Sequence, residues 1–180
     1  MKGLGLVGPV LVCAVAIVAV ARAEARVVAG APPGPPTGYK LQERLPIPVL
    51  SPAGIETRQL AAGRRYILRV TGTFFEGVGF YGPGYGDAEY GFYKTGQVID
   101  RCRNGVDLGA GINDMNVSPG HVKKPRWGAY HASHVYSRAF TGTGTRLRID
   151  YHDCAYPDNR PARQWQGTGR LTLWIYAAAS

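Results

Sequence analysis

Apolar and polar residues alternate with a period of two in several stretches of this chain, and that rhythm predicts β-strands. The clearest stretch is Arg65-Tyr66-Ile67-Leu68-Arg69-Val70-Thr71-Gly72-Thr73-Phe74, where Tyr66, Leu68, Val70 and, past Gly72, Phe74 share one face. Later, Arg146-Leu147-Arg148-Ile149-Asp150-Tyr151 turns Leu147, Ile149 and Tyr151 to one side, and the final run from Arg170 to Tyr176 does so with Leu171, Leu173 and Ile175. Weaker runs predict strands at residues 55–60, 91–93, 106–112 and 134–140, with Ala62-Gly63 turning the chain into the Arg65 strand. Thr141-Gly142-Thr143-Gly144 reads as a hairpin connection into the Arg146 strand. Residues 41–49 contain Pro46 and Pro48, which cannot donate to a ladder, so this segment is an edge strand or an irregular arm. Residues 76–90 are so rich in glycine and aromatic rings that they read as a long loop with unusual backbone angles.

Beyond the N-terminus no segment has a convincing helical period, and no repeat recurs at solenoid or propeller spacing. Short strands at this density, without a βαβ rhythm, predict an all-β fold: a two-sheet antiparallel β-sandwich of jelly-roll type with its loops gathered at the ends. Composition agrees, since 25 glycines, 13 prolines and 11 tyrosines in 180 residues are the currency of turns and strands. Met1-Lys2, an apolar run over residues 3–21 and the small-residue ending Ala21-Arg22-Ala23 have the pattern of a secretory signal peptide, cut after Ala23; an uncleaved anchor is the alternative. Residues 24–40, with Ala31-Pro32-Pro33-Gly34-Pro35-Pro36, read as a Pro/Gly-rich linker, and residues 41–180 as the sandwich domain. The expected location is secreted, periplasmic or cell-surface, with no stable membrane span once the signal is removed.

Export changes how the cysteines read. With Cys13 removed, Cys102 and Cys154 remain, an even pair expected to be oxidised together; two separate thiols are the alternative. The formal charge of +9 falls to +7 without Lys2 and Arg22, leaving 19 basic against 12 acidic side chains. Such a balance favours acidic polysaccharide or lipid headgroups as partners, and nucleic acid is not expected in that compartment. Lys123-Lys124-Pro125-Arg126, Arg146 and Arg148 read most simply as solvated faces.

The densest candidate chemistry follows the Arg146 strand, in Tyr151-His152-Asp153-Cys154-Ala155-Tyr156-Pro157-Asp158-Asn159. Two carboxylates, an adjacent amide and the carbonyls of a proline-fixed turn are the ligands that a hard cation such as calcium takes; Tyr-Pro-Asp-Asn is equally an ordinary turn sequence. Catalytic signatures are lacking. His131 and His134 would point to opposite faces of a strand, which disfavours zinc, and Asp87 and Glu89 mimic a glycosidase pair in a setting that gives neither a raised pKa. The sequence holds no Gly-x-Ser-x-Gly and no phosphate loop, so no catalytic residue is assigned and no enzyme is expected.

A core strand ending in glycine, then Phe80-Tyr81-Gly82-Pro83 and Gly86-Asp87, with Tyr151-His152-Asp153 and Tyr156-Pro157-Asp158-Asn159 before a final strand, resembles the calcium-dependent galactophilic lectin family of bacteria over residues 60–176. The resemblance implies calcium held by the Tyr81 carbonyl, the Asp153 carboxylate, the Ala155 carbonyl and the side chains of Asp158 and Asn159, with two sugar hydroxyls completing the shell. It departs from the family in several places. The loop between Asp153 and Tyr156 is two residues shorter, Asp158 stands where an amide is usual, and the sugar-selecting histidine and glutamine fall at Tyr90 and Tyr93. An insertion over residues 160–167 brings Trp165, which offers a ring platform beside Arg163 and Gln164. The implied sugar-contacting set is therefore Tyr81, Tyr90, Tyr93, Asp158, Asn159 and Trp165. Two readings follow: an exported non-enzymatic carbohydrate-binding module bridging a glycan or cell-surface polysaccharide through calcium, or a structural or adhesive cell-surface β-sandwich without a sugar site. Oligomeric state and glycan are not legible.

Overall fold

A computed structural model describes residues 34–79, 82–100, 102, 108–114, 127–159 and 170–179. The chain is all-β and its strands pair antiparallel in three sheets. The first sheet has the order β1 (Tyr39–Ile47), β11 (Leu171–Ala178), β3 (Arg65–Thr71), β9 (Val135–Thr141). The second is β2 (Ile55–Glu56), β10 (Leu147–His152), β8 (Gly109–Asp114), and the third is β4 (Phe74–Gly79), β5 (Gly82–Gly86), β6 (Gly91–Tyr93), β7 (Val98–Ile99).

The alternating runs form strands because each has one face to bury. Tyr66, Leu68 and Val70 of β3 and Leu171, Leu173 and Ile175 of β11 meet Leu147, Ile149 and Tyr151 of β10 in one core between the first and second sheets. Complete burial of a leucine or isoleucine there stabilises the fold by roughly 1.5–3 kcal/mol. Segment 41–49 lies in an edge strand, β1, where prolines are tolerated. Its first residues, Tyr39 and Lys40, belong to the stretch read as linker, while residues 1–33, including the signal segment, lie outside the described residues.

Five expectations are corrected. The run from Arg65 is not one strand through Phe74: Gly72 has φ of 106°, and the chain leaves the first sheet there. Phe74 opens β4 and is nonetheless fully buried. Residues 76–90 are not simply a loop, because most of them form the β4–β5 hairpin, with Phe75 opposite Tyr85 and Gly77 opposite Gly84. Gly84 and Gly86 are glycines because rings occupy the space over them. A Cβ on Gly86 would lie 2.6 Å from the Phe74 ring and 2.7 Å from the Tyr151 hydroxyl. The segment 141–144 is no hairpin connection, since β9 pairs with β3 while β10 pairs with β8 and β2. It crosses between sheets, bonded to residues 60–64 through Gly63 N–H to Gly142 O (2.8 Å) and Gly142 N–H to Arg64 O (2.8 Å). A Gly-Thr turn signal tells how tightly the chain reverses; it does not tell which strands pair. Finally, only Ile55–Glu56 of the 55–60 run pairs as a strand, and the strand expected at 106–112 runs over Gly109–Asp114.

Cys102 and Cys154 form a disulfide with Cα atoms 5.6 Å apart, across 52 residues of sequence. It ties the turn after β10 to the segment between β7 and β8. Replacing both cysteines by serine is expected to lower unfolding free energy by about 4 kcal/mol on the chain-entropy argument, read as a lower urea midpoint against the oxidised protein.

Candidate functional site

The candidate site grows from the end of β10. Tyr151, the last inward side chain of that strand, is fully buried, and after His152 the chain turns sharply. The Tyr156 hydroxyl donates to the Tyr151 carbonyl at 2.7 Å, closing the turn, and residues Tyr156–Asp158 form one turn of 3₁₀ helix with Pro157 inside it. Asp153 is 7 % exposed, and its Oδ1 accepts the Cys154 N–H at 2.6 Å. Asn159 is fully buried and donates its amide to the Val49 carbonyl, which anchors the end of the turn to the segment after β1.

Glu76 reaches this turn from β4. The register shift between Phe75 and Gly77 makes Glu76 the extra residue of a β-bulge, and a bulge re-aims the side chain it carries. Its carboxyl group accepts the Tyr151 hydroxyl at 3.3 Å and hydrogen-bonds Asp153. Burial, then the Asp153 charge, pushes Glu76 up to about 8, so near neutral pH the acid keeps its proton and shares it with Asp153. Burial and the same carboxylates keep the Tyr151 phenol protonated, well above its ordinary range. β4 lies alongside the 3₁₀ turn, so the β4–β5 hairpin and residues 153–159 occupy one end of the molecule.

A second buried carboxylate organises the neighbouring loop. Asp87 Oδ1 accepts the N–H groups of Glu89 and Tyr90, both at 2.8 Å, and Oδ2 accepts the Tyr136 hydroxyl and pairs with His134 Nδ1, both at 2.8 Å. His134 is the residue other than glycine with positive φ among the described residues, 51°, and its ring stacks on Phe92 at 4.4 Å. Asp87 thus ties the loop before β6 to the start of β9. Glu89, also fully buried, accepts the Trp127 N–H at 3.1 Å. His131 and His134 sit in the turn before β9, where His134 Nδ1 is engaged by Asp87.

The other residues of the candidate set are distributed unevenly. Tyr81, Trp165 and the Asp158 side chain lie outside the described residues. Ala155 is exposed in the turn. Tyr93 lies over Gly84, while its neighbour Phe92 stacks on Tyr85 on the opposite side of the third sheet. Tyr90 packs edge-on to Tyr130 at 5.8 Å and donates to the Gly128 carbonyl at 3.0 Å. Tyr93 therefore shares the sheet face of Gly84 and Gly86, and Tyr90 belongs with the Phe92, Tyr130 and His134 rings. Sequence reading missed Glu76; the signal it offered was a lone acid in an otherwise apolar and glycine stretch, Phe74-Phe75-Glu76-Gly77-Val78.

The donor set around the turn is made of oxygens, which suits a hard cation. Among the described residues no three His, Cys, Asp or Glu side chains gather as a metal site, so calcium here would depend on carbonyl and amide oxygens beside Asp153. No family model, curated protein or solved structure matches this chain. The site is therefore argued from its own geometry.

Two outcomes follow. Folded Glu76 holds a proton that the unfolded chain releases, so its contribution to stability is present below pH about 4.5, declines as pH rises towards about 8 and levels off above that. Glu76→Gln should flatten that decline, seen as urea midpoints at acid, neutral and alkaline pH that converge relative to wild type. Asp87→Ala strands the buried Glu89 N–H and Tyr136 hydroxyl and frees the half-buried Tyr90 N–H and His134 ring, and should cost about 3 kcal/mol, measured by urea unfolding at neutral pH.

Proposed function

We propose that this chain is an exported, non-enzymatic carbohydrate-binding module, a jelly-roll-type sandwich akin to the calcium-dependent galactophilic lectins, in which calcium bridges the protein and a sugar. One observation carries the reading: β4, which carries Glu76, lies beside the 3₁₀ turn Tyr156–Asp158, and the Glu76 carboxyl group meets that of Asp153 just before that turn. Two buried acids in contact are favourable only with a positive charge, a proton or a cation, at their junction. The Asp153 carboxylate, the Ala155 carbonyl and the amide oxygen of Asn159 would hold calcium together with Tyr81 and Asp158. Calcium would supply a centre that two vicinal hydroxyls can ligate. Tyr93, on the face that Gly84 and Gly86 share, would border the sugar, with Trp165 a further contact of the same ligand, whereas Tyr90 packs with Tyr130 away from that face.

A second reading, a structural or adhesive β-sandwich without a sugar site, is favoured by the local bonds of the turn: Asp153 to Cys154 N–H and Asn159 to the Val49 carbonyl. Calcium titration separates the two. The lectin-like reading predicts stabilisation of about 2.7 kcal/mol at a hundredfold excess of calcium over Kd, removed by chelator and by Asp153→Ala, with affinity rising as pH passes that of Glu76. Identical melting with calcium and with chelator, together with no saturable signal on a glycan array, would establish the structural reading instead.

A further inference from the structure

The outer face of the first sheet is a surface of different chemistry. In its four strands the pleat sends Arg44 of β1, Arg65 and Arg69 of β3, and Trp174 and Tyr176 of β11 away from the core. Among the described residues no carboxylate shares that face. The one acid in these strands, Glu43, is opposite inward-facing Ile175 and pairs with Arg58 at 3.7 Å.

The arginines are held in place by rings. Arg44 lies over the Trp174 ring at 4.6 Å and Arg69 over the Tyr176 ring at 5.2 Å. Trp174 and Tyr176 are only 8 % and 2 % exposed although they face away from the core, so they form a floor under the cations. The indole is fixed by Trp174 Nε1–H donating to Thr71 Oγ1 at 3.0 Å. Arg69 donates from Nε to Ser137 Oγ at 2.9 Å and from Nη1 to the Gly34 carbonyl at 3.0 Å. Arg44, Trp174, Arg69 and Ser137 stand in one cross-strand row. Arg44 and Arg69 are two strands apart, about 10 Å at the usual strand spacing. The exposed Arg44 guanidinium, stacked on its ring, has in-plane N–H groups suited to forked bonds with a carboxylate, while Arg69, bonded to Ser137 and Gly34, adds its charge to the row.

We propose that this face docks an acidic polysaccharide, whose successive carboxylates lie along the Arg44–Arg69 row. Charge complementarity carries the choice: a face with three arginines and no acid, on a chain of formal charge +9, fits a polyanion. The flat row of rings, hydroxyls and guanidinium groups suits an extended sugar chain. It does not suit a lipid surface, because Leu41 is the one large apolar side chain on this sheet that is strongly exposed, and interfacial binding needs an apolar stripe to insert. The surface is separate from the calcium site, and the inference stands whether or not calcium binds.

The test measures retention of the purified protein by an immobilised polyuronate and by its methyl ester, with chelator present throughout. Wild type is expected to bind the polyuronate roughly tenfold more tightly than the ester, and to lose affinity as salt rises from about 50 to about 300 mM. Arg44→Gln with Arg65→Gln, which leaves the hydrogen-bonded Arg69 in place, should weaken binding by roughly tenfold with the melting temperature retained. Equal binding of acid and ester, unchanged binding of the double variant, or no retention in the presence of chelator would overturn the proposal. So would preference for phosphatidylserine-containing vesicles over the polyuronate, which would make the partner a membrane. If the double variant does not fold, Arg44→Gln alone gives the same comparison, and undiminished binding overturns the proposal equally.

Discussion

The edge-to-face contact between Phe74 and Tyr151, with ring centroids 4.9 Å apart, is the joint on which the candidate site depends. Phe74 begins the third sheet and Tyr151 is the last inward residue of β10, so the contact locks the β4–β5 hairpin to the end of the second sheet. It requires Gly86 to lack a side chain, because both the Phe74 ring and the Tyr151 hydroxyl occupy that space. The same hydroxyl donates to Glu76, and Glu76 bonds Asp153. An apolar packing decision is thereby converted, within one side chain, into a polar one.

The polar groups at this end divide into two kinds. Asp87 has four donors on its two oxygens and acts as a knot between the loop before β6 and the start of β9. A carboxylate bonded on both oxygens rigidifies what surrounds it. Glu76 and Asp153 are in the opposite situation, two buried acids whose contact favours a shared positive charge.

Among the described residues buried acids and stacked arginines lie apart. Buried acids gather at the junction of the second and third sheets, while stacked arginines occupy the outer face of the first. The first sheet supplies rigidity for that face through β11, which runs between β1 and β3 and is buried along most of its length. The disulfide holds the turn after β10 against the segment before β8 and limits how far the acidic end can open.

Much of the scaffold was legible from residue order. Leu147, Ile149 and Tyr151, and likewise Leu171, Leu173 and Ile175, announce a buried strand face because the pleat is a local property with a period of two. Two cysteines in a chain read as exported announced their pairing in the same way. What tertiary structure alone decided is which faces meet. The turn at 141–144 crosses between sheets, the glycine-rich stretch forms a hairpin in which rings fill the space above Gly84 and Gly86, and a bulge carries Glu76 to Asp153. These are contacts between residues far apart in sequence, fixed by the packing of one sheet on another, and local alternation carries no information about them.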